Sequence, residues 1–239
     1  MRELFGGELP ELVMFDLDGT LVDSVPDLAR AVDQMLSALE REPAGEDQVR
    51  VWVGNGAQML VRRALAGRLV PVDAPVDASV GNHLENPADA ELFPIAYELF
   101  LAAYAQCNGR SSRLYPGVME LLDALCRAQV PMAIVTNKPH AFTEPLLRSL
   151  EIAGYFCQVV SGDSLSLKKP DPAQVHWVLD KQEVSVGRAL FIGDSMHDVR
   201  AARAAGCQVV CVSYGYNHGE PIALSQPDRV VDSLADLLT

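Results

Sequence analysis

Short apolar runs alternate with longer stretches of helical periodicity along much of this chain. Continuous apolar runs fall at residues 12–15, 132–136, 156–160, 189–193 and 209–212, with a weaker one at 229–231. Runs of this length, bounded by turns and lacking polar alternation, predict strands buried on both faces. Between them, apolar residues recur at helical spacing. Val118, Leu121, Leu122 and Leu125 form one set, Phe142, Leu146, Leu147 and Leu150 a second, and Val175, Val178 and Leu179 a third. Val199, Ala202 and Ala205 form a fourth, and Gly206 suits the end of that helix. The alternation predicts an α/β fold around a mainly parallel sheet.

One region breaks the alternation. After Ser24 the pattern is helical, with Ser24 placed to cap a helix, Pro26 in its first turn and Asp27 at its positive end. Leu28, Val32, Met35, Leu36 and Leu39 then share a face. Further helices are expected over about 57–69 and about 91–105, separated by a Pro- and Asp-rich surface loop at about 70–87. Tyr115-Pro116-Gly117 marks the return to strand–helix alternation. The organisation expected is a sheet domain from residues 1–22 and 114–239, interrupted by a helical insertion at 23–113.

Composition narrows the classes. The chain has 239 residues, 49% of them hydrophobic and 21% charged, which fits a globular protein and excludes a disordered or collagen-like one. No apolar run approaches the ~18 residues of a membrane span. Residues 1–10 carry Glu3 and Glu8 and lack the apolar core of a secretory signal, which favours the cytoplasm. The net charge of −13 argues against nucleic-acid and membrane partners. A small anionic substrate would need local positive charge from a metal, a lysine or helix N-termini. The five cysteines are irregularly spaced, as expected of reduced thiols that mostly pack in a core. Monomer and homodimer are both compatible with the sequence.

The strongest chemical signal is Asp16-Leu17-Asp18-Gly19-Thr20, directly after the first buried run. It lies at a strand end, where open α/β sheets bind ligands. In extended geometry, carboxylates two residues apart point to the same side and repel. They become useful when a divalent cation joins them, or when one is a nucleophile and the other carries a proton. Gly19 permits a sharp turn beside a ligand.

This segment resembles the nucleophile loop of the haloacid dehalogenase-like hydrolases, most of which are phosphatases. Three further segments agree with that family in type and order: Thr136-Asn137 after an apolar run, Lys169-Pro170-Asp171-Pro172, and Gly193-Asp194-Ser195-Met196-His197-Asp198. The resemblance implies a Rossmann-like core with an inserted α-helical cap. It makes Asp16 the nucleophile that forms an aspartyl-phosphate and Asp18 the acid/base that serves the leaving oxygen. Thr136 would offer its hydroxyl and backbone N–H to phosphate, and Asn137 a further donor. Lys169, directly before proline, would neutralise Asp16 and the phosphoryl group, with Lys168 a solvated charge. Asp16, the carbonyl of Asp18 and Asp194 would hold Mg²⁺ in an all-oxygen site. Asp198 would join that metal set, orient a bound water or hold Lys169. Ser195 would cap a helix or donate to Asp194. His197 falls at a variable position of the motif and is expected at the surface.

Within the insertion, Gly54, Asn55 and Gly56 precede a helix and are candidates for substrate contact, with Arg62 and Arg63 as possible partners for a substrate carboxylate, though such arginines are more often surface charges. Trp52-Val53-Gly54-Asn55-Gly56, Thr136-Asn137-Lys138-Pro139 and Ser213-Tyr214-Gly215-Tyr216-Asn217 resemble the branch of the family that hydrolyses 2-phosphoglycolate. The competing expectations are a phosphatase for another small phosphate ester, a phosphomutase, and a binding protein without turnover.

Overall fold

A computed structural model describes residues 1–70 and 87–238, so all but the ends of the expected loop at 70–87 lies outside the described residues. The chain divides into two compact units, one of residues 1–23 and 113–239 and the other of residues 24–112.

The first unit is built on a six-stranded sheet of β1 (Leu12–Phe15), β4 (Met132–Val135), β5 (Gln158–Val160), β6 (Ala189–Gly193), β7 (Gln208–Val212) and β8 (Arg229–Val231). The strand order is β5-β4-β1-β6-β7-β8, and every pairing is parallel. Val13 and Phe15 pack with Val118, Leu121, Leu122 and Leu125 of α5 (Val118–Arg127) and with Leu146 and Leu147 of α6 (His140–Ser149). Leu12 and Met14 join Val175, Val178 and Leu179 of α7 (Ala173–Gln182) and Val199, Ala201 and Ala202 of α8 (Met196–Ala205). Helices on both faces explain why the strands read as unbroken apolar runs.

The order has a functional consequence. After β1 the chain builds β4 and β5 on one side, then crosses to build β6, β7 and β8 on the other. Such a reversal opens a crevice at the carboxyl ends of the central strands. Phe15 is in register with both Ile134 and Ile192, so the segments after β1, β4 and β6 emerge at one edge. Those segments begin with Asp16, Thr136 and Asp194.

The apolar pattern did not reveal a two-stranded antiparallel ribbon of β2 (Val22–Asp23) and β3 (Arg113–Leu114). Two residues per strand are too few to carry a period.

The helical unit comprises α1 (Val25–Ala38), α2 (Gly45–Trp52), α3 (Ala57–Ala66) and α4 (Pro87–Cys107). Helix α2 was not expected. It buries only Val49 and Trp52 among polar neighbours, so its apolar stripe is too thin to read. Helix α3 ends before residue 69 because Gly67 adopts a left-handed cap at φ 64°. Helix α4 starts before residue 91, since its first turn holds Ala88, Asp89 and Ala90 rather than periodic apolar residues. Ser24 occupies the N-cap of α1, yet its side chain makes no cap hydrogen bond. Asp27 does more than favour the helix start. Its fully buried carboxylate accepts the N–H groups of Gly109, Ser111 and Ser112 and the Ser112 hydroxyl, tying α1 to the segment after α4. Among the described residues, no helix is long and apolar enough to cross a membrane.

Candidate active site

Three acids converge at the carboxyl edge of the sheet. Asp16, Asp194 and Asp198 each bring a carboxylate oxygen within 4.8 Å of the others. Asp16 follows β1, and its N–H donates to the carbonyl of Ile192 on β6. Asp194 follows β6. Its Oδ1 accepts from the Thr20 hydroxyl at 2.8 Å and its Oδ2 from the Tyr216 N–H at 2.6 Å. Asp198 lies in the first turn of α8.

Lys169 spans this group. Its Nζ is 2.7 Å from Asp16 Oδ1 and 2.7 Å from Asp198 Oδ1, and its side chain is only 2% exposed. One ammonium therefore pairs with two of the three clustered carboxylates. Burial pushes Asp16 up to about 7, against the pull of Lys169. Burial also raises Asp194, reinforced by the charges of Asp198 and Asp16. Burial works to raise Asp198 as well, but Lys169 and hydrogen bonds from Ser195 outweigh it and hold this carboxyl low. For Lys169, burial favours proton loss, yet Asp16 and Asp198 prevail and raise its proton affinity. A crowded, all-oxygen set with too little positive charge fits a hard divalent cation.

The two oxygens of Asp198 have different tasks. Oδ1 meets Lys169, while Oδ2 accepts the N–H groups of Asp194 and Ser195 and the Ser195 hydroxyl. Ser195 caps α8 and donates to Asp198 rather than to Asp194. Asp198 thus fixes both the lysine and the loop that carries Asp194.

The remaining expected residues depart from the sequence reading in several places. The Asp18 carboxylate pairs with Lys138, whose Nζ is 3.1 Å from each of its oxygens. The strand ends at Phe15, and Leu21 and Val22 both donate to the carbonyl of Leu17, so the alternation rule does not extend from Asp16 to Asp18. The Thr136 N–H is committed to the carbonyl of Val160 in the sheet ladder, which removes it as a phosphate donor. Its hydroxyl oxygen accepts from the Lys138 N–H at 3.2 Å. The Asn137 amide donates to the Lys169 carbonyl at 2.9 Å and so ties the loop after β4 to the lysine loop. Lys168 is partly buried, and burial lowers its proton affinity, so it is not a freely solvated charge. His197 is 3% exposed rather than on the surface, and burial pushes it down to about 4.

Asn55 lies in the helical unit, where its side-chain oxygen accepts from Arg63 at 2.5 Å. Arg63 is buried and also donates to the carbonyl of Trp52, while the Arg62 guanidinium sits 4.0 Å from the centre of the Phe93 ring. Neither arginine is a simple surface charge.

Sequence reading gave no role to Lys138, Gln174 or Gly215. Lys138 was visible only as part of a longer likeness. Gln174, fully buried on α7, donates to the Ser161 carbonyl at 2.8 Å and accepts from the Lys169 N–H at 3.4 Å. It reads from sequence as an ordinary polar helix residue. Close approach explains Gly19 and Gly215. A Cβ on Gly19, which has φ +91°, would lie 2.4 Å from Asp194 Oδ2, and one on Gly215 would lie 2.1 Å from Asp194 Cβ.

The sequence model for the haloacid dehalogenase-like hydrolases matches residues 13–212. The chain belongs to that family. It is 49% identical over 238 residues to the phosphoglycolate phosphatase of Pseudomonas savastanoi pv. phaseolicola, covering 99% of this chain and 82% of that protein. It is 43% identical over 228 residues to the phosphoglycolate phosphatase of Photobacterium profundum, covering 95% and 94%. A crystal structure of a predicted phosphoglycolate phosphatase from Haemophilus somnus superposes with a TM-score of 0.83 at 38% identity, covering 95% of this chain and 96% of that one. This protein is a phosphatase, a phosphoric monoester hydrolase.

Proposed function

We propose that this phosphatase hydrolyses 2-phosphoglycolate to glycolate and phosphate through a phosphorylated Asp16, with Mg²⁺ held at the acidic cluster. The observation that carries the mechanism is Lys169 Nζ, 2.7 Å from both Asp16 and Asp198 in the cluster that also contains Asp194. The substrate is supported by the relatives at 49% and 43% identity, both phosphoglycolate phosphatases.

In the first step a carboxylate oxygen of Asp16 attacks phosphorus. A P–O bond to Asp16 forms as the ester P–O bond breaks. Asp18 delivers a proton to the departing oxygen, giving glycolate. In the second step water attacks phosphorus, the P–O bond to Asp16 breaks, and Asp18 takes a proton from that water. One water is consumed and both aspartates return to their starting states. Lys169 offsets charge on Asp16 and on the phosphoryl oxygens throughout, and burial strengthens its effect.

The Thr136 hydroxyl binds a phosphoryl oxygen, and Asn137 acts by holding the lysine loop. Asp16, the Asp18 carbonyl and Asp194 would hold the cation, and Asp198 positions Lys169 and the Asp194 loop. When bound, Mg²⁺ supplies positive charge to the phosphoryl oxygens. Gly19 lets the nucleophile loop lie against Asp194.

The test is phosphate release from a panel of phosphate esters with Mg²⁺ and with EDTA. Turnover of 2-phosphoglycolate above the other esters, abolished by EDTA and restored by Mg²⁺, is expected. Release from other esters but not from 2-phosphoglycolate refutes the substrate. Full activity in EDTA refutes the cation.

A further inference from the structure

Lys169 is gripped at its backbone as well as at its ammonium. The Nζ lies 2.7 Å from Asp16 and from Asp198. The Lys169 carbonyl accepts from the Asn137 amide at 2.9 Å, and the Lys169 N–H donates to Gln174 Oε1 at 3.4 Å. Gln174 lies in the first turn of α7 and is fully buried. Burying an amide costs free energy unless its polar atoms find partners, so an apolar residue would serve the core more cheaply there. Each polar atom of the Gln174 side chain has a partner. Nε2 donates to the Ser161 carbonyl at 2.8 Å and to the Thr136 carbonyl at 3.4 Å. Those two acceptors fix the amide's orientation and leave Oε1 for the Lys169 N–H. One side chain thus joins the segment after β4, the segment after β5 and the lysine loop.

We propose that Gln174 is a positioning residue for the phosphoryl chemistry, acting through Lys169. The inference rests on the role given to Lys169 in the proposed mechanism. A lysine ammonium sits at the end of a flexible four-carbon stem, so its placement depends on where the backbone that carries it is fixed. Thr136 directly follows β4, the neighbour of β1, and Ser161 directly follows β5, the edge strand. Asp16 emerges from β1 at the same edge of the sheet. Gln174 therefore ties the lysine loop to the frame that carries the nucleophile, and a shift of that loop moves the ammonium relative to Asp16. A misplacement of about 1 Å can cost roughly 100-fold in rate. The ammonium offsets charge that builds as phosphorus is attacked, so the cost falls on kcat rather than on KM.

The test is a double-mutant cycle between Gln174→Met and Lys169→Met, read as kcat and KM for 2-phosphoglycolate with Mg²⁺ at a temperature where each variant is folded. Gln174→Met keeps the length of the side chain and removes its amide. It should lower kcat roughly 100-fold and leave KM within about threefold of wild type. On Lys169→Met, where no ammonium remains to be placed, the same change should cost less than about threefold more. Gln174→Asn keeps the amide one methylene short, should show the same dependence on Lys169, and carries the cycle should the Met variant misfold. Equal losses in the two backgrounds overturn the inference and make Gln174 a support of the fold alone, while the reading of Lys169 stands. Wild-type kcat in Gln174→Met overturns it too. Wild-type turnover in Lys169→Met removes the lysine from the mechanism and the inference with it.

Discussion

Both units bury charge, but they satisfy it in opposite ways. In the helical unit, Asp27 is surrounded by backbone N–H groups and a hydroxyl, and Arg63 by the Trp52 and Val70 carbonyls and Asn55. These charges bind neutral dipoles and organise backbone. In the sheet unit, Asp16, Asp194 and Asp198 crowd one another, and one lysine pairs with only two of them. The first arrangement is complete within the unit, whereas the second leaves carboxylates in mutual repulsion, which a fold tolerates where an added cation or substrate relieves it. Burial alone therefore does not mark a functional charge. Like-charge crowding around too few counter-charges does.

The largest expected effect breaks this contrast at its functional end. Asp16→Asn removes the attacking oxygen and one of the crowded charges. Turnover of 2-phosphoglycolate should fall by roughly 10⁴-fold or more, as when other enzymes lose a nucleophile. The thermal midpoint without metal should hold or rise, since repulsion is relieved and Lys169 keeps Asp198. A variant that retains turnover removes Asp16 from the mechanism. One that unfolds shows that the acids stabilise the fold, as Asp27 does.

Legibility in the sequence follows the same division. The central strands and α5 to α8 were readable because burial on both faces leaves continuous apolar runs and helices with a clear stripe. Asp16, Lys169, Asp194 and Asp198 were readable because each falls in a family motif, two of which continue directly from β1 and β6. The roles of Thr136 and Asn137 were less so. A motif names a residue but not the direction of its N–H, and the ladder claims that of Thr136. Lys138 and Gln174 act through contacts with residues far along the chain, Asp18 and Ser161, which no local period records. Helix α2 was hidden by its polar composition, and Asp27 looked like a helix-start acid because its partners lie more than 80 residues away.

The structural end of the contrast can be broken at Asp27. Asp27→Ala strands several buried donors at once. Hydrogen bonds to a charged group contribute about 1.5–3 kcal/mol each and do not add fully, so a loss of about 3 kcal/mol is expected. Denaturant unfolding with tryptophan fluorescence reports it, since Trp52 is buried in the same unit. Loss of turnover without loss of stability would mean that Asp27 takes part in catalysis.

The smallest effect sharpens the contrast with a group that starts neutral. Cys207 is buried beside β7, and its thiol donates to the Ala189 carbonyl at 3.1 Å. Burial pushes this thiol from 9.0 up to about 12. Cys211 is raised too, by burial and then by Asp198 and Asp194, so the surroundings of the acidic cluster resist one more negative charge. Below pH 9 the thiol is neutral in both folded and unfolded chains and contributes no pH dependence. As the pH rises from 9 toward 12 the unfolded chain ionises first, and stability is lost at up to about 1.4 kcal/mol per pH unit for each such thiol. Cys207→Ala should begin less stable because it leaves a small cavity, yet lose less between pH 9 and 11 than the wild type. Parallel losses in urea midpoints across that range would mean that the folded thiol ionises as readily as the unfolded one, and that the sheet interior does not exclude charge as the crowded acids imply.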